Sequence, residues 1–71
     1  MTYSELDTIF PGHYHFYTVN NMDISEALDK CGRLSRDAAQ VIQYQGQIVF
    51  ASTHAVSSDV PFLTPVPGNP E

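Results

Sequence analysis

The chain has 71 residues and carries 3 Lys+Arg against 8 Asp+Glu, a formal net charge of -5. That length holds one domain at most, and a domain of this size buries only roughly 60% of its unfolded surface. Hydrophobic residues at 42% with charged residues at 15% argue against disorder over the whole chain, and the acidic balance argues against direct nucleic-acid binding, which draws on Lys and Arg.

Residues 1–12 form a lead-in in which Ser4 is placed to cap one short helical turn, with Leu6, Ile9 and Phe10 as its apolar side. Pro11-Gly12 ends it. His13 to Val19 is rich in aromatic and β-branched residues and predicts a strand. Tyr14, Phe16 and Thr18 fall on one face, and His13, His15, Tyr17 and Val19 on the other. Tyr14 and Phe16 are expected in the core and Tyr17 nearer the rim. Asn20-Asn21 supplies a turn.

Asp23-Ile24-Ser25-Glu26 has capping-box spacing with Asp in place of Ser or Thr. Ile24, Ala27, Leu28, Cys31 and Leu34 recur at helical spacing, and Glu26/Lys30 and Asp29/Arg33 sit four apart in the favourable order. Gly32 weakens such a helix by about 1 kcal/mol, so either it packs closely on the sheet or the helix stops there. One helix to about Ser35 is expected. The runs 40–44 and 47–52 flank Gln45-Gly46 and predict a hairpin. A two-residue turn pairs Val41 with Phe50 and Ile42 with Val49. An odd-length turn or bulge would instead set Ile42, Tyr44, Ile48 and Phe50 on one face with Val41 and Val49 opposite. Either register leaves both faces partly apolar. Such a surplus is a signal of subunit contact. From Ser57 on, Pro61, Pro65, Pro67 and Pro70 favour an extended tail, with Phe62, Leu63 and Val66 free to pack on the sheet or on a partner.

The expected fold is α+β: a β-α-β-β domain over residues 1–56, with one helix on a three-stranded antiparallel sheet in order 1-3-2, then a Pro-rich tail over 57–71. The single cysteine, Cys31, excludes an internal disulfide. The acidic first residues, Met1 to Asp7, lack an apolar signal-peptide core, and no run approaches the length of a membrane span. A soluble cytoplasmic protein is expected.

No stretch reaches the standard of a catalytic or ligand-binding signature. His13-x-His15 sets two imidazoles on one strand face and would bind zinc or nickel with a third ligand such as His54, Cys31, Glu5 or Asp7. No familiar spacing completes the set, and exposed strand histidines are the commoner explanation. His54 lies among Ser52, Thr53, Ser57, Ser58 and Asp59, but a polar loop offers the same letters as a triad. Cys31 on the apolar stripe is expected to be buried and inert. The eight acids are scattered, and mimicry of nucleic acid needs a denser array.

Lys30, Arg33 and Arg36 are all the basic residues of the chain and form a short ridge for an acidic partner patch. With Tyr17, Tyr44, Phe62 and Leu63 they are the candidate partner-binding residues. In size and style the chain resembles small acidic accessory proteins of phages and mobile elements, which often inhibit host machinery. That resemblance implies an inhibitor or accessory protein directed at a host protein. The size, the missing site signature and the surplus apolar surface lead to the expectation of a non-enzymatic protein that acts by surface complementarity, without cofactor and as a homodimer. The alternative is a ligand- or metal-sensing domain using His13 and His15.

Overall fold

The computed structural model describes residues 1–34, 40–56 and 59–70. The elements are α1 (Tyr3–Ile9), β1 (His15–Val19), α2 (Ile24–Leu34), β2 (Gln40–Tyr44), β3 (Gln47–Ser52) and β4 (Leu63–Pro65). The strands form one antiparallel sheet in the order β2-β3-β1-β4. The α+β class stands, with two helices and four strands in place of the expected one and three. β3 lies between β1 and β2, as the order 1-3-2 requires.

Strand alternation divides the core in two. Phe16 lies opposite Ala51, and Val49 opposite Ile42, so these four share one face. Leu6 of α1 and Val66 are buried against Phe16, Val49 and Ala51. Tyr17, Phe50 and Val41 are aligned across the other face, where Cys31 of α2 is buried among them. The helices therefore cover opposite faces of the sheet. The second apolar face of the hairpin, expected as a subunit contact, is covered by Leu6 and Val66 of the same chain.

The start of α1 corrects one expectation. Thr2, not Ser4, is the cap, and its hydroxyl accepts from the Glu5 N–H at 3.3 Å. Thr2 and Glu5 have the spacing of a capping box. At α2 the Asp23 carboxylate accepts from the Glu26 N–H at 2.8 Å, as its spacing predicts. The helix runs through Gly32 to Leu34. Among the described residues nothing outside the helix's own backbone and the two chain neighbours lies within 4 Å of where a Cβ would stand on Gly32, so this glycine makes no close contact with the described strands.

The apolar stripe of α2 is only partly used. Ala27 and Cys31 are buried, while Ile24, Leu28 and Leu34 remain 36%, 54% and 38% exposed. Small residues on the contact line bring the helix close to the sheet, and the larger side chains fall on its flanks. The stripe of Ile24, Leu28, Cys31 and Leu34 predicts a helix facing sheet residues such as Phe16, Ile42 and Phe50. Cys31 is buried beside Phe50, but Phe16 and Ile42 lie on the face under α1 and the other three stripe residues stay exposed, which corrects that expectation.

The hairpin has the two-residue turn, with Val41 opposite Phe50 and Ile42 opposite Val49. Gln45 and Gly46 both have positive φ, 50° and 78°. That is the pattern of a type I′ turn, in which a glutamine is poorly suited to the first position and asparagine is favoured. Gln45→Asn is expected to raise stability by about 0.5 kcal/mol. An unchanged or lowered urea midpoint would contradict this.

The Pro-rich segment is extended and closes the sheet. In β4, Leu63, Thr64 and Pro65 lie opposite Val19, Thr18 and Tyr17. Proline confines such a strand to an edge, because it cannot donate to a ladder. The Val66 N–H donates to the Phe16 C=O at 3.0 Å, and the Tyr3 N–H to the Pro67 C=O at 2.9 Å. The Asn69 amide clamps Phe16: its Oδ1 accepts from the N–H at 3.0 Å and its Nδ2 donates to the C=O at 2.7 Å. Among the described residues no helix is long and apolar enough to cross a membrane.

Candidate functional site

One flank of α2 and the chain entering β4 enclose an open cleft of about 330 Å³. It is lined by Asn20, Asn21, Met22, Glu26, Lys30, Pro61 and Phe62. Glu26 and Lys30 lie four apart, so they share this flank, and their charged groups are 3.9 Å apart. The Lys30 ammonium sits 5.9 Å from the centre of the Phe62 ring. Asn21, with φ 57°, turns the chain from β1 towards α2, a conformation that asparagine tolerates. The Asn20 N–H donates to the Phe62 C=O at 2.9 Å, and its side-chain amide donates to Thr64 Oγ at 2.7 Å. Asn20 thus ties the floor of the cleft to β4.

The energies here are small. An exposed ion pair of this kind contributes about 0–1 kcal/mol, and an exposed cation–π contact about 0.5–1 kcal/mol. Lys30 is therefore only weakly held by Glu26 and Phe62, and about half of its side chain is exposed. Met22, Pro61 and Phe62 supply apolar surface beside it. A mixed lining of this kind suits a polypeptide segment. Among the described residues the lining holds no hydroxyl, thiol or imidazole, the groups from which most nucleophile–base pairs are built.

The candidate residues distribute unevenly. Lys30 and Phe62 meet across the cleft. Leu63 follows Phe62 into β4 and packs against the cluster of Tyr17, Cys31 and Phe50. Arg33, one turn beyond Lys30, is exposed and pairs with Asp29 at 3.5 Å. Arg36 lies outside the described residues. Tyr17, expected nearer the rim, is only 7% exposed, and its hydroxyl accepts from the Val56 N–H at 2.9 Å. It faces α2 and offers little surface to a partner. Tyr44 lies on the opposite sheet face, where its hydroxyl donates to Glu5 Oε2 at 2.5 Å. The sequence marks Asn20 and Asn21 as turn residues, Met22 as a staple residue before the cap of α2 and Pro61 as a tail residue, and nothing in the spacing of Pro61 points across the chain to α2.

β1 begins at His15, and His13 precedes it with φ 57°, so strand alternation does not place the two imidazoles on one face. Among the described residues no group of three or more His, Cys, Asp or Glu is placed to hold a metal ion. Ser52 Oγ donates to the His54 C=O at 2.7 Å and accepts from the His54 N–H at 3.2 Å, so its contact there is with backbone and shapes the end of β3. Ser57 and Ser58 lie outside the described residues. Cys31 is buried, and burial pushes its thiol pKa up, which disfavours the thiolate.

The Tyr44 hydroxyl is raised above its ordinary value of 10.0, first by the hydrogen bond to Glu5, then by burial, then by the Glu5 charge. Folding therefore favours the protonated phenol. The stability this adds is complete below the unfolded pKa of 10.0 and is lost as pH rises through the folded value. Tyr3 is raised as well, by burial and then by Asp7, and titrates in the same direction. Thermal melts are expected to fall above about pH 10, with a shallower fall for Tyr44→Phe. Equal slopes for the two proteins would contradict the Tyr44–Glu5 contribution.

The chain matches no known protein family, no curated protein and no solved structure.

Proposed function

We propose that the chain is a small non-enzymatic protein-binding module that receives a polypeptide segment of another protein in the cleft between α2 and Pro61–Phe62. The convergence of Lys30 and Phe62, from distant parts of the sequence, on one open cleft carries this reading. The mixed lining supports it, as does the absence of hydroxyl, thiol and imidazole from that lining. On this reading the protein acts by surface complementarity, in the manner of a cytoplasmic inhibitor or accessory protein of phage or mobile-element type, and needs no cofactor.

The test is affinity capture from lysate of the native host with the wild-type chain and with Lys30→Glu. Lys30 is about half exposed, so its replacement leaves the core intact. A stoichiometric partner retained by the wild type and lost at least about tenfold by Lys30→Glu is expected. A partner held equally by both, or none with the chain shown folded, would overturn the cleft reading.

A further inference from the structure

The sheet has two unlike edges. β4 is three residues long and ends in proline, the usual protection of an edge. β2, Gln40-Val41-Ile42-Gln43-Tyr44, has no charge, proline or glycine. Its outward groups follow from the ladder. The two-residue turn closes on the doubly bonded pair Tyr44–Gln47, and alternation then directs Ile42 and Gln40 to β3. The Val41 and Gln43 N–H and C=O groups point to the outer side. The bonds from β4 to Phe16 on the far side of the sheet fix the same phase. Among the described residues none hydrogen-bonds to these four outer groups.

A second unpartnered surface lies beside this edge. α2 crosses β2 and β3, and its Glu26–Lys30 flank is turned to Phe62, beyond β1. The opposite flank, on the β2 side, carries Ile24, Leu28 and Gly32 at successive intervals of four. Ile24 and Leu28 are 36% and 54% exposed, and no described residue fills the space over Gly32. Gly32 weakens the helix without packing against its own sheet.

We infer that β2 and this flank of α2 pair with the same surface of a second copy of the chain, about a two-fold axis perpendicular to the sheet. The β2 strands meet antiparallel, Val41 of each copy bonds Gln43 of the other, and the two sheets become one. The helices then lie antiparallel on the same sheet face. With strands about 4.8 Å apart and each helix over β2 and β3, the helix axes fall about 10 Å apart, the distance of packed helices. A register centred on Leu28 sets Leu28 against its counterpart and Ile24 over Gly32 of the other copy, where the missing Cβ leaves room.

Charge selects this occupant. The chain is at -5, and like charge opposes self-contact over most of its surface. β2 is uncharged, and α2 has an acid at its cap, Asp23, and a base in its last turn, Arg33. Antiparallel pairing sets Arg33 of each copy near Asp23 and the helix start of the other. The proposal is independent of the cleft, which lies on the other flank.

Sedimentation equilibrium and amide hydrogen exchange test it together, on the wild type, Leu28→Lys and Gln43→Lys. Both replaced side chains are exposed, and retained helical signal shows that each variant folds. The wild type is expected to dimerise at tens of micromolar, with Val41 and Gln43 amides that slow as concentration rises. Each variant is expected to weaken the dimer about tenfold or more. A strict monomer at hundreds of micromolar overturns the proposal. So does a dimer indifferent to both variants, or one in which the two amides exchange freely. Protection that appears only with a different protein assigns the edge to that partner and overturns self-pairing. Lys30→Glu should leave the dimer unchanged, which separates this test from that of the cleft.

Discussion

A chain ending before residue 60 is expected not to fold. The missing segment supplies β4, the strand that pairs with the outer side of β1. It supplies Val66, 2% exposed in the core under α1. It also carries the Asn69 amide, which satisfies both backbone groups of Phe16, and the Pro67 C=O that accepts from Tyr3. Buried backbone groups left unpaired cost about 1–3 kcal/mol each. A domain has only about 0.05–0.15 kcal/mol of net stability per residue, so losing this set exceeds the margin of a short chain. Circular dichroism and thermal melting of residues 1–59 are expected to show no cooperative transition. A truncated chain that melts like the whole would make the segment a free ligand arm and contradict the strap.

Leu6→Ala is the second large effect. Leu6 is fully buried and is the only buried residue of α1. It packs with Phe16, Val49, Ala51 and Val66 on the sheet face that α2 does not reach. A buried Leu→Ala replacement costs about 2–5 kcal/mol, the spread reflecting how far the site collapses. Ile9 on the same helix is 52% exposed, and Ile9→Ala is expected to cost well under about 1 kcal/mol. Urea denaturation of both variants at one fixed concentration checks the contrast. Equal effects would mean that α1 does not hold the second face.

The parts of the fold written in local chemistry were legible. Asp23 and Glu26 announced α2, and Gln45-Gly46 between two apolar runs announced the hairpin, while its register stayed open between a two-residue turn and an odd-length turn until the pairing with β3 fixed the former. Cys31 on the stripe predicted its own burial. The parts that depend on distant partners were not legible. Thr2 and Glu5 carry a capping signal, but seven residues of helix take their stability from Leu6 packing on strands far along the chain. β4 is hidden among prolines, because an edge strand needs few donors and proline costs it little. Tyr17 was placed at the rim because alternation says which residues share a face and not how well that face is covered.

The site followed the same division. Lys30 could be singled out as one of few basic residues, and Phe62 as one of the apolar residues in a Pro-rich tail. That they meet across a cleft is set by β4 pairing with β1, which no local pattern encodes. Asn20 and Asn21 entered as turn residues and proved to line that cleft as well.

The most direct test of the cleft is the amide spectrum of the isotope-labelled chain titrated with the captured partner. Shifts that saturate at one equivalent and centre on Asn21, Met22, Glu26, Lys30 and Phe62 are the predicted result. Shifts centred on Glu5 and Tyr44, across the sheet, or no shifts at saturating partner, would contradict it.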